Sequence, residues 1–110
     1  MVQAMIADCA LDLESARWLV LVAAWTVDQG RDPRHQSSMA KLSGATMANR
    51  VVDRVLQIHG GMGYTKDLPI ERWYREVRLW RIFEGTDEIQ KRAIARNLLE
   101  GRARIGGHLA

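Results

Sequence analysis

The apolar residues of this chain recur at spacings of three and four positions, which is the period of an α-helix. The first such stretch runs from Val2 to Gln29 and predicts one long helix. Gly30 suits a C-cap position and Pro33 cannot continue a helical ladder, so the segment that contains them should end the helix. The predicted inward-facing stripe consists of Val2, Met5, Ile6, Cys9, Leu13, Ala16, Val20, Ala23, Ala24 and Val27.

A second helix is predicted to begin near Ser37 or Ser38, because either hydroxyl can cap the free amides of a first turn. Its apolar positions continue as far as His59. The glycine-rich sequence GGMG at 60–63 then ends it.

The remainder of the chain predicts two more helices and no strand. Pro69 opens a short helix over Ile70 to Val77, with i,i+4 ion pairs on its solvent side. The last helix runs from about Thr86 to Arg102. The sequence therefore predicts an all-α protein, a helical bundle of three long helices and one short helix.

Four tryptophans need more cover than so small a bundle offers. We expect part of the apolar surface to pack against something else, either another segment of a longer protein or a second subunit. The tryptophans are Trp18, Trp25, Trp73 and Trp80.

Composition narrows the class of protein. With 110 residues, 47% hydrophobic and 26% charged, the chain is one packed domain or part of a larger one. No apolar run approaches the about 18 residues of a membrane span, and the N-terminus lacks the pattern of a signal peptide. The single cysteine, Cys9, excludes a disulfide framework and is expected to be a core residue in a reducing compartment.

The net charge of +3 and the pI near 9.5 make nucleic-acid binding a class to consider. The arginines are scattered, however, and no basic block or helix-turn-helix pattern is present, so no nucleic-acid partner is predicted. A modest basic excess equally serves a phosphorylated small ligand. Several basic residues have acidic neighbours at helical spacing: Glu71/Arg75, Arg72/Glu76 and Asp87/Lys91.

The sequence QIHGGMG at 57–63 has two interpretations. One glycine suffices to end a helix, and helix termination is the simpler explanation. Three glycines in four positions also let a backbone approach a phosphate or a flat ring closely. His59 is expected to be packed or hydrogen-bonded, and since no second ligand accompanies it at metal-binding spacing, no metal site is predicted.

The sequence IFEGTDEIQ at 82–90 contains a second candidate. Thr86 suits an N-cap, and Asp87 and Glu88 place negative charge in the first helical turn, where the helix dipole favours it. Glu84 precedes the cap beside Gly85 and has no such structural role. Taken alone it is either a solvated loop residue or a base directed into a cavity.

Together these segments resemble the C-terminal part of the acyl-CoA dehydrogenase family. The resemblance is continuous and keeps the family's order and spacing to about Glu100. It implies the family's C-terminal four-helix-bundle domain without its first helix. The matching segments are SMAKL at 38–42, QIHGGMGYTKDLPIERWYREVR at 57–78 and RIFEGTDEIQKRAIARNLL at 81–99.

The resemblance implies oxidation of an acyl-CoA thioester to the trans-2-enoyl-CoA, with FAD as cofactor. Glu84 corresponds to the base that removes the α-proton, and Gly85 to the residue beside the thioester. Arg96 corresponds to a residue that contacts the CoA part of the substrate. The FAD residues implied are Thr86 and Glu88 for the same subunit's flavin, and Gln57, Gly60 and Gly61 for the adenylate half of a neighbouring subunit's flavin.

The resemblance also implies partners and a location. Family members form homodimers or homotetramers, pass electrons to an electron-transfer flavoprotein, and reside in the bacterial cytoplasm or the mitochondrial matrix. They carry an N-terminal helical domain and a central β-domain that residues 1–110 lack, so we expect the isolated chain, a domain or truncated product, to be inactive. The alternative is a non-catalytic helical dimerisation module or a CoA- or nucleotide-binding module.

Overall fold

A computed structural model describes residues 1–107, and within them the chain is all-helical, as predicted. No strand occurs in this range. The helices are α1 (Val2–Asp28), α2 (Arg34–His59), α3 (Gly61–Tyr64), α4 (Ile70–Leu79) and α5 (Asp87–Leu99).

Helices α1 and α2 form an antiparallel hairpin. The face of α1 that meets α2 has small residues at its buried positions, which allows the two backbones to approach closely. Apart from Val22, the buried and half-buried positions alternate in steps of four and three, the pattern of a helix–helix seam: Met5, Cys9, Asp12, Ala16, Leu19, Ala23 and Thr26.

The predicted stripe of α1 was only partly right. Cys9 and Ala16 are buried, as expected, whereas Ile6, Leu13 and Val20 are exposed. The helix is apolar on more than one face, so a periodic pattern alone does not decide which face meets α2. The faces that carry the exposed side chains have no packing partner within residues 1–107.

An ion-pair network joins the middle of the hairpin. Asp12 on α1 accepts hydrogen bonds from Arg50 Nε at 3.0 Å and Arg54 Nη1 at 2.6 Å on α2. The hydrogen bond from Arg50, followed by that from Arg54, lowers the pKa of Asp12 to about 2. Asp12 is therefore ionised at neutral pH and ties the two helices together.

Helix α2 begins earlier than predicted. It starts at Arg34 rather than near Ser37 or Ser38, with Pro33 at the N-cap position. Ser37 lies within the first turn, since its backbone N–H donates to the Pro33 carbonyl at 2.7 Å. A proline at the entrance costs little because the amides of a first turn lack intrahelical acceptors in any case.

The glycine-rich segment ends α2 as predicted and then forms an additional helical turn, α3. Gly60 has φ +61°, a backbone conformation that side chains rarely adopt. A Cβ on Gly63 would lie 2.7 Å from the Leu56 carbonyl oxygen, so that glycine allows α3 to pack on α2. His59 is hydrogen-bonded, as expected, with Nδ1 2.8 Å from the Val55 carbonyl oxygen.

Helix α4 follows Pro69, as predicted, and runs back along α2. The Asn49 side chain donates to the Val77 carbonyl at 2.9 Å, which fixes the two helices side by side. Of the i,i+4 ion pairs expected on the solvent side of this helix, Arg72–Glu76 forms, at 3.5 Å, and Glu71–Arg75 does not within residues 1–107.

Helix α5 ends at Leu99, before the predicted Arg102. The chain then folds back, and the backbone amides of Arg102 and Ala103 both donate to the Asn97 carbonyl. The four tryptophans remain 42–62% exposed, which agrees with the expectation that this surface needs further cover. Within residues 1–107, no helix combines the length and the hydropathy that a bilayer crossing requires.

Candidate functional site

The loop between α4 and α5, residues 80–86, carries the candidate base. Backbone hydrogen bonds close it at both ends, from Phe83 N to the Leu79 carbonyl at 3.0 Å and from Asp87 N to the Arg81 carbonyl at 3.0 Å. The loop is therefore a closed turn that enters α5 in a defined orientation.

Glu84 has a backbone conformation that is unusual for its residue type. Its φ is +53°, the only positive value of a residue other than glycine within the described part of the chain. This left-handed conformation costs a non-glycine residue about 1–2 kcal/mol, and such residues concentrate at functional sites. The strain is an independent reason, beside the resemblance, to assign Glu84 a function.

Lys41 on α2 fixes the loop. Its ammonium group donates to the Trp80 carbonyl oxygen at 2.7 Å and to the Gly85 carbonyl oxygen at 2.5 Å. These two carbonyls lie on either side of Glu84, so one side chain spans the segment that holds the strained residue. Hydrogen bonds from a charged donor are stronger than those between neutral groups.

An ion pair between a buried aspartate and a partly exposed arginine fixes the start of α5. Asp87 is 2% exposed and accepts from Arg81 Nε at 2.6 Å. The sequence led us to expect Lys91 as a neighbour of Asp87, but Asp87 pairs with Arg81 instead because the loop brings that residue back over the first turn. The Asp87 Oδ1 atom is buried and has no hydrogen-bond partner within residues 1–107.

Gly85 is required by both conformation and space. Its φ is +90°, and a Cβ built on it would lie 2.4 Å from Gln90 Nε2. Gln90 in turn donates to the Glu84 carbonyl oxygen at 3.4 Å. Gly85 therefore leaves the space that the Gln90 side chain occupies beside the Glu84 backbone.

The apolar neighbours of Glu84 do not enclose it. Glu84 is exposed, Phe83 is 43% exposed and Ile82 is more open still. Ile82 and Phe83 are the apolar residues that directly precede Glu84, but within residues 1–107 both are exposed. A dry site around the carboxylate would need groups from outside this part of the chain.

Thr86 and Glu88, the residues expected to contact the flavin of the same subunit, lie at the start of α5. Thr86 is the N-cap, as predicted, and its Oγ1 accepts from the Ile89 amide at 3.2 Å. Glu88 is exposed in the first turn. Glu84, Gly85, Thr86 and Glu88 thus form one cluster, referred to below as the Glu84 loop.

The residues Gln57, Gly60 and Gly61 form a second, separate cluster. Lys41 contacts the Glu84 loop, and Gln57 lies sixteen positions further along the same continuous helix, which is about 24 Å along the helix axis. All three residues are exposed, and a Cβ on Gly60 or Gly61 would meet nothing within 4 Å. The Gln57 side-chain amide can hydrogen-bond a nucleotide, and the glycine backbone beside it is open to close approach by a phosphate. In the Glu84 loop, the Thr86 hydroxyl is a further polar group.

Arg96 lies apart from both clusters, on α5. It faces a groove between α2 and α5 and is held by Glu100, whose Oε1 accepts from Arg96 Nε at 2.9 Å. Its side chain is 61% exposed. The structure thus distributes the candidate residues among the Glu84 loop, the end of α2 and this groove.

Lys41, Arg81 and Gln90 belong to the site, although no role was predicted for them. Lys41 lies within the matching segment SMAKL, but its contact with Gly85 spans 44 positions. Local periodicity carries no signal for such a contact. Arg81 and Asp87 are six residues apart, which is not a helical spacing, so this pair also has no local pattern.

Comparison with known proteins identifies the class. Residues 1–99 match the family described as "Acyl-CoA dehydrogenase, C-terminal domain". The chain belongs to this family of flavoprotein oxidoreductases.

Two curated relatives illustrate the similarity. A probable acyl-CoA dehydrogenase of Bacillus subtilis is 43% identical over 99 residues, which are 90% of this chain and 26% of that protein. A 3-(aryl)acrylate reductase of Clostridium sporogenes is 46% identical over 99 residues, again 90% of this chain and 26% of that protein. The chain therefore spans about a quarter of the length of these relatives.

Solved structures share the fold. Butyryl-CoA dehydrogenase from Megasphaera elsdenii aligns with a TM-score of 0.85 and 33% identity over 88% of this chain and 25% of its own. An FAD complex of PigA aligns with a TM-score of 0.85 and 34% identity over 93% of this chain and 26% of its own. A chain from the electron transferring flavoprotein of Acidaminococcus fermentans gives a TM-score of 0.85 and 38% identity over 88% of this chain and 26% of its own.

Proposed function

We propose that this chain is the C-terminal domain of an FAD-dependent acyl-CoA dehydrogenase and that Glu84 is its general base. The observation that carries the proposal is the strained backbone of Glu84, held between two carbonyls that Lys41 binds. A loop that served only as a connection would gain nothing from holding a glutamate in the left-handed region.

In the proposed reaction the Glu84 carboxylate takes the α-proton of an acyl-CoA thioester. The electron pair of the broken Cα–H bond forms the Cα=Cβ double bond, and the product is the trans-2-enoyl-CoA. Bound FAD would supply the acceptor for the hydrogen that leaves the β-carbon as hydride. Gly85, which has no side chain, leaves space for the thioester beside the base.

The proposed FAD contacts belong to two subunits. Thr86 and Glu88 would contact the flavin of their own subunit, whereas Gln57, Gly60 and Gly61 would contact the adenylate half of a neighbour's flavin. The two clusters lie about 24 Å apart along α2. This separation supports the division, because each cluster can then contact a different flavin. The FAD complex of PigA, a structural neighbour, supports the choice of cofactor.

The proposed assembly is a homodimer or homotetramer. The exposed apolar side chains of α1 and the half-exposed tryptophans support a subunit or domain interface on this surface. The proposed electron acceptor is an electron-transfer flavoprotein, which the similarity to the Acidaminococcus fermentans chain supports.

We also propose that residues 1–110 do not turn over substrate alone. The exposed Glu84 carboxylate and the half-exposed Phe83 support this, because abstraction of a weakly acidic proton requires a site from which water is excluded. In the complete enzyme the central β-domain and the N-terminal helical domain would cover the site. Adding FAD and butyryl-CoA to the purified chain should give no bleaching of the flavin absorbance, and clear turnover would contradict the proposal.

The role of Glu84 is tested with Glu84→Gln in the FAD-loaded enzyme that contains this domain. We expect turnover to fall by about 10³-fold or more, because a neutral amide cannot accept the α-proton, while FAD remains bound. Glu14→Gln, which removes an exposed carboxylate on α1, is the matched control and should leave turnover unchanged. Near-normal activity of Glu84→Gln would remove Glu84 from the role of base.

A non-catalytic helical dimerisation or CoA- or nucleotide-binding module is the second candidate. The openness of the Glu84 loop favours it, since residues 1–107 do not enclose the carboxylate. This alternative predicts that Glu84→Gln alters neither ligand affinity nor the biological role of the chain. The loss of turnover described above separates the two candidates.

A further inference from the structure

The Glu84 carboxylate has no cationic partner, although two cations lie at its loop. Within residues 1–107, the hydrogen bond that Glu84 receives goes to its backbone carbonyl, and no ion pair includes its side chain. The two cations are Lys41, which binds the carbonyl of the next residue, and Arg81, which precedes Glu84 by three positions. A general base benefits from such isolation, because a cation beside a carboxylate favours its charged form and weakens it as a base.

Both cations are bound to other acceptors. The Lys41 ammonium group donates to two backbone carbonyls, those of Trp80 and Gly85. The Arg81 guanidinium donates from Nε to Asp87 Oδ2 at 2.6 Å. The backbone itself therefore holds Lys41, whereas the placement of the Arg81 side chain depends on one other side chain, that of Asp87.

Asp87 is well placed to hold Arg81. It is 2% exposed and is the first residue of α5, where the helix dipole favours a negative charge. Its backbone N–H also donates to the Arg81 carbonyl oxygen at 3.0 Å, so two hydrogen bonds in opposite directions join the same two residues. Because a buried charge is costly to leave unpaired, Asp87 binds the guanidinium firmly.

Without Asp87, Glu84 is the natural partner of Arg81. The chain turns tightly between them, since the amides of Ile82 and Phe83 both donate to the Leu79 carbonyl, at 2.8 Å and 3.0 Å. Long side chains three positions apart in a helical turn can form an ion pair. Such a pair is weak at an exposed surface and becomes stronger when other groups cover the site and exclude water.

We propose that Asp87 is a positioning residue, which binds Arg81 and thereby keeps the Glu84 carboxylate free of an ion pair. The inference rests on the proposed function, because it assumes that Glu84 is the base. Neither Arg81 nor Asp87 is among the residues that the resemblance assigns to the substrate or to FAD. The proposal has a specific consequence: loss of the anion should impair catalysis, whereas loss of the cation should not.

The test uses the FAD-loaded enzyme that contains this domain, with kcat and KM for butyryl-CoA measured per bound FAD. Asp87→Asn keeps the size of the side chain and a hydrogen-bond acceptor but removes the charge that holds Arg81. We expect kcat to fall by about tenfold, because the released guanidinium pairs with Glu84. The KM should change by less than about twofold, since the base acts on the bound substrate.

Arg81→Gln is the opposite change, which removes the guanidinium and leaves Glu84 free. The variant should be less stable, because the buried Asp87 loses its partner, but its kcat per bound FAD should stay within about threefold of the unmodified value. Arg81→Gln combined with Asp87→Asn leaves neither charge to be compensated. The double variant should regain kcat to within about threefold of the unmodified enzyme, and it keeps the test valid if Arg81→Gln alone does not fold.

Glu76→Gln is the matched control, because it removes a carboxylate from the exposed Arg72–Glu76 pair on α4 and should leave kcat unchanged. An unchanged kcat in Asp87→Asn overturns the proposal. So does a double variant that is no more active than Asp87→Asn, since the ion pair would then only support the fold.

Failure of this inference is distinct from failure of the proposed function. Near-normal turnover of Glu84→Gln removes Glu84 from the role of base and the inference with it. A loss of turnover in Glu84→Gln together with a normal kcat in Asp87→Asn contradicts the inference alone. In the Glu84→Gln enzyme, Asp87→Asn should leave the residual turnover unchanged, and a further tenfold loss there would show that Asp87 acts by another route.

Discussion

The Glu84 loop and the end of α2 both contain a glycine at positive φ, but the first glycine is crowded by neighbouring atoms and the second is in open space. In the loop a Cβ on Gly85 would lie 2.4 Å from Gln90, and Lys41 binds the carbonyls on either side of Glu84. At the end of α2 a Cβ on Gly60 or Gly61 would meet nothing within 4 Å. The chain itself shapes the first region, whereas the second is open backbone available to a partner or ligand.

This difference separates two uses of glycine. Around Gly85 the chain supplies the groups that define the backbone geometry, so the position of Glu84, the proposed base, can be set before any ligand arrives. Around Gly61 the absence of side chains preserves access, so substitution there should affect binding more than folding. Each prediction below tests one side of this contrast.

The largest effect is expected for Gly85→Ala. An alanine at φ +90° is strained, and Gln90 must also move away from the new methyl group, so we expect a loss of about 2 kcal/mol in the free energy of unfolding. Urea denaturation of the chain measures it. Gly61→Ala is the matched control, because Gly61 lies in α3 in open space and should change stability by less than about 0.5 kcal/mol.

Equal losses in the two variants would contradict the contrast, because they would show that both glycines are held by the fold. In the enzyme that contains this domain, we expect FAD affinity to depend more on Gly61 than stability does. Gly61→Ala should weaken FAD binding while stability is kept, and this is measured by titrating the apoenzyme with FAD.

The next effect concerns Lys41→Met, which keeps the aliphatic part of the side chain and removes its hydrogen bonds. We expect a loss of about 1–2 kcal/mol, because two carbonyls of the loop lose a charged donor but regain contact with water. Hydrogen exchange of residues 80–86 should increase, since the segment around Glu84 opens more often.

Lys66→Met is the control for Lys41→Met, since it removes an exposed lysine from the turn before α4. Its stability should differ from that of the unmodified chain by less than about 0.5 kcal/mol. If exchange of residues 80–86 were the same in both variants, the loop would owe its shape to the backbone alone.

Much of the fold was predictable because it rests on local periodicity. The helices, their all-α class, the N-cap at Thr86 and the helix end before Gly60 follow from residue types at short spacings. The start of α2 was misplaced because Pro33 occupies the N-cap position that a serine was expected to take. The register of α1 was misjudged because the helix is apolar on more than one face.

The resemblance names the candidate residues of the site, but the physical setting of those residues was not predictable from the sequence. The resemblance singled out Glu84, but neither its positive φ nor its openness can be read from residue types, since glutamate has no preference for the left-handed region. The contacts of Lys41 join positions 39 and 44 residues apart, and such pairs are set by the packing of α4 and α5 on α2. Packing on this scale has no local sequence pattern.

A smaller effect is expected from acid, and it concerns the ion-pair network of Asp12 between α1 and α2. Arg50 and Arg54 on α2 lower the pKa of Asp12 to about 2 from its ordinary value of 3.8. Because the pKa is lower in the folded state, the stabilisation is complete above about pH 4 and is lost as pH falls toward 2. After solvent screening we expect it to be on the order of 1 kcal/mol.

Denaturation of the chain between pH 2 and pH 6 measures this contribution. Asp12→Asn should be less stable at pH 6 and should converge on the unmodified chain near pH 2. Asp53→Asn, an exposed aspartate on the same stretch of α2, is the control. Curves for Asp12→Asn and the unmodified chain that stay parallel across this range would exclude the network as the source of acid sensitivity.

The smallest and most discriminating effect is expected for Glu84→Gly compared with Glu84→Ala. Both remove the carboxylate, but only glycine accepts φ +53° without strain. The relief is partly offset by the greater freedom of glycine in the unfolded chain, so we expect Glu84→Gly to exceed Glu84→Ala in stability by about 0.5–1 kcal/mol. Urea denaturation measures the difference, and both variants should lack turnover in the FAD-loaded enzyme. A gain in stability joined to a loss of turnover would mean that the loop keeps a strained residue because its carboxylate is needed there, whereas Glu84→Gly less stable than Glu84→Ala would mean that the left-handed backbone stores no strain.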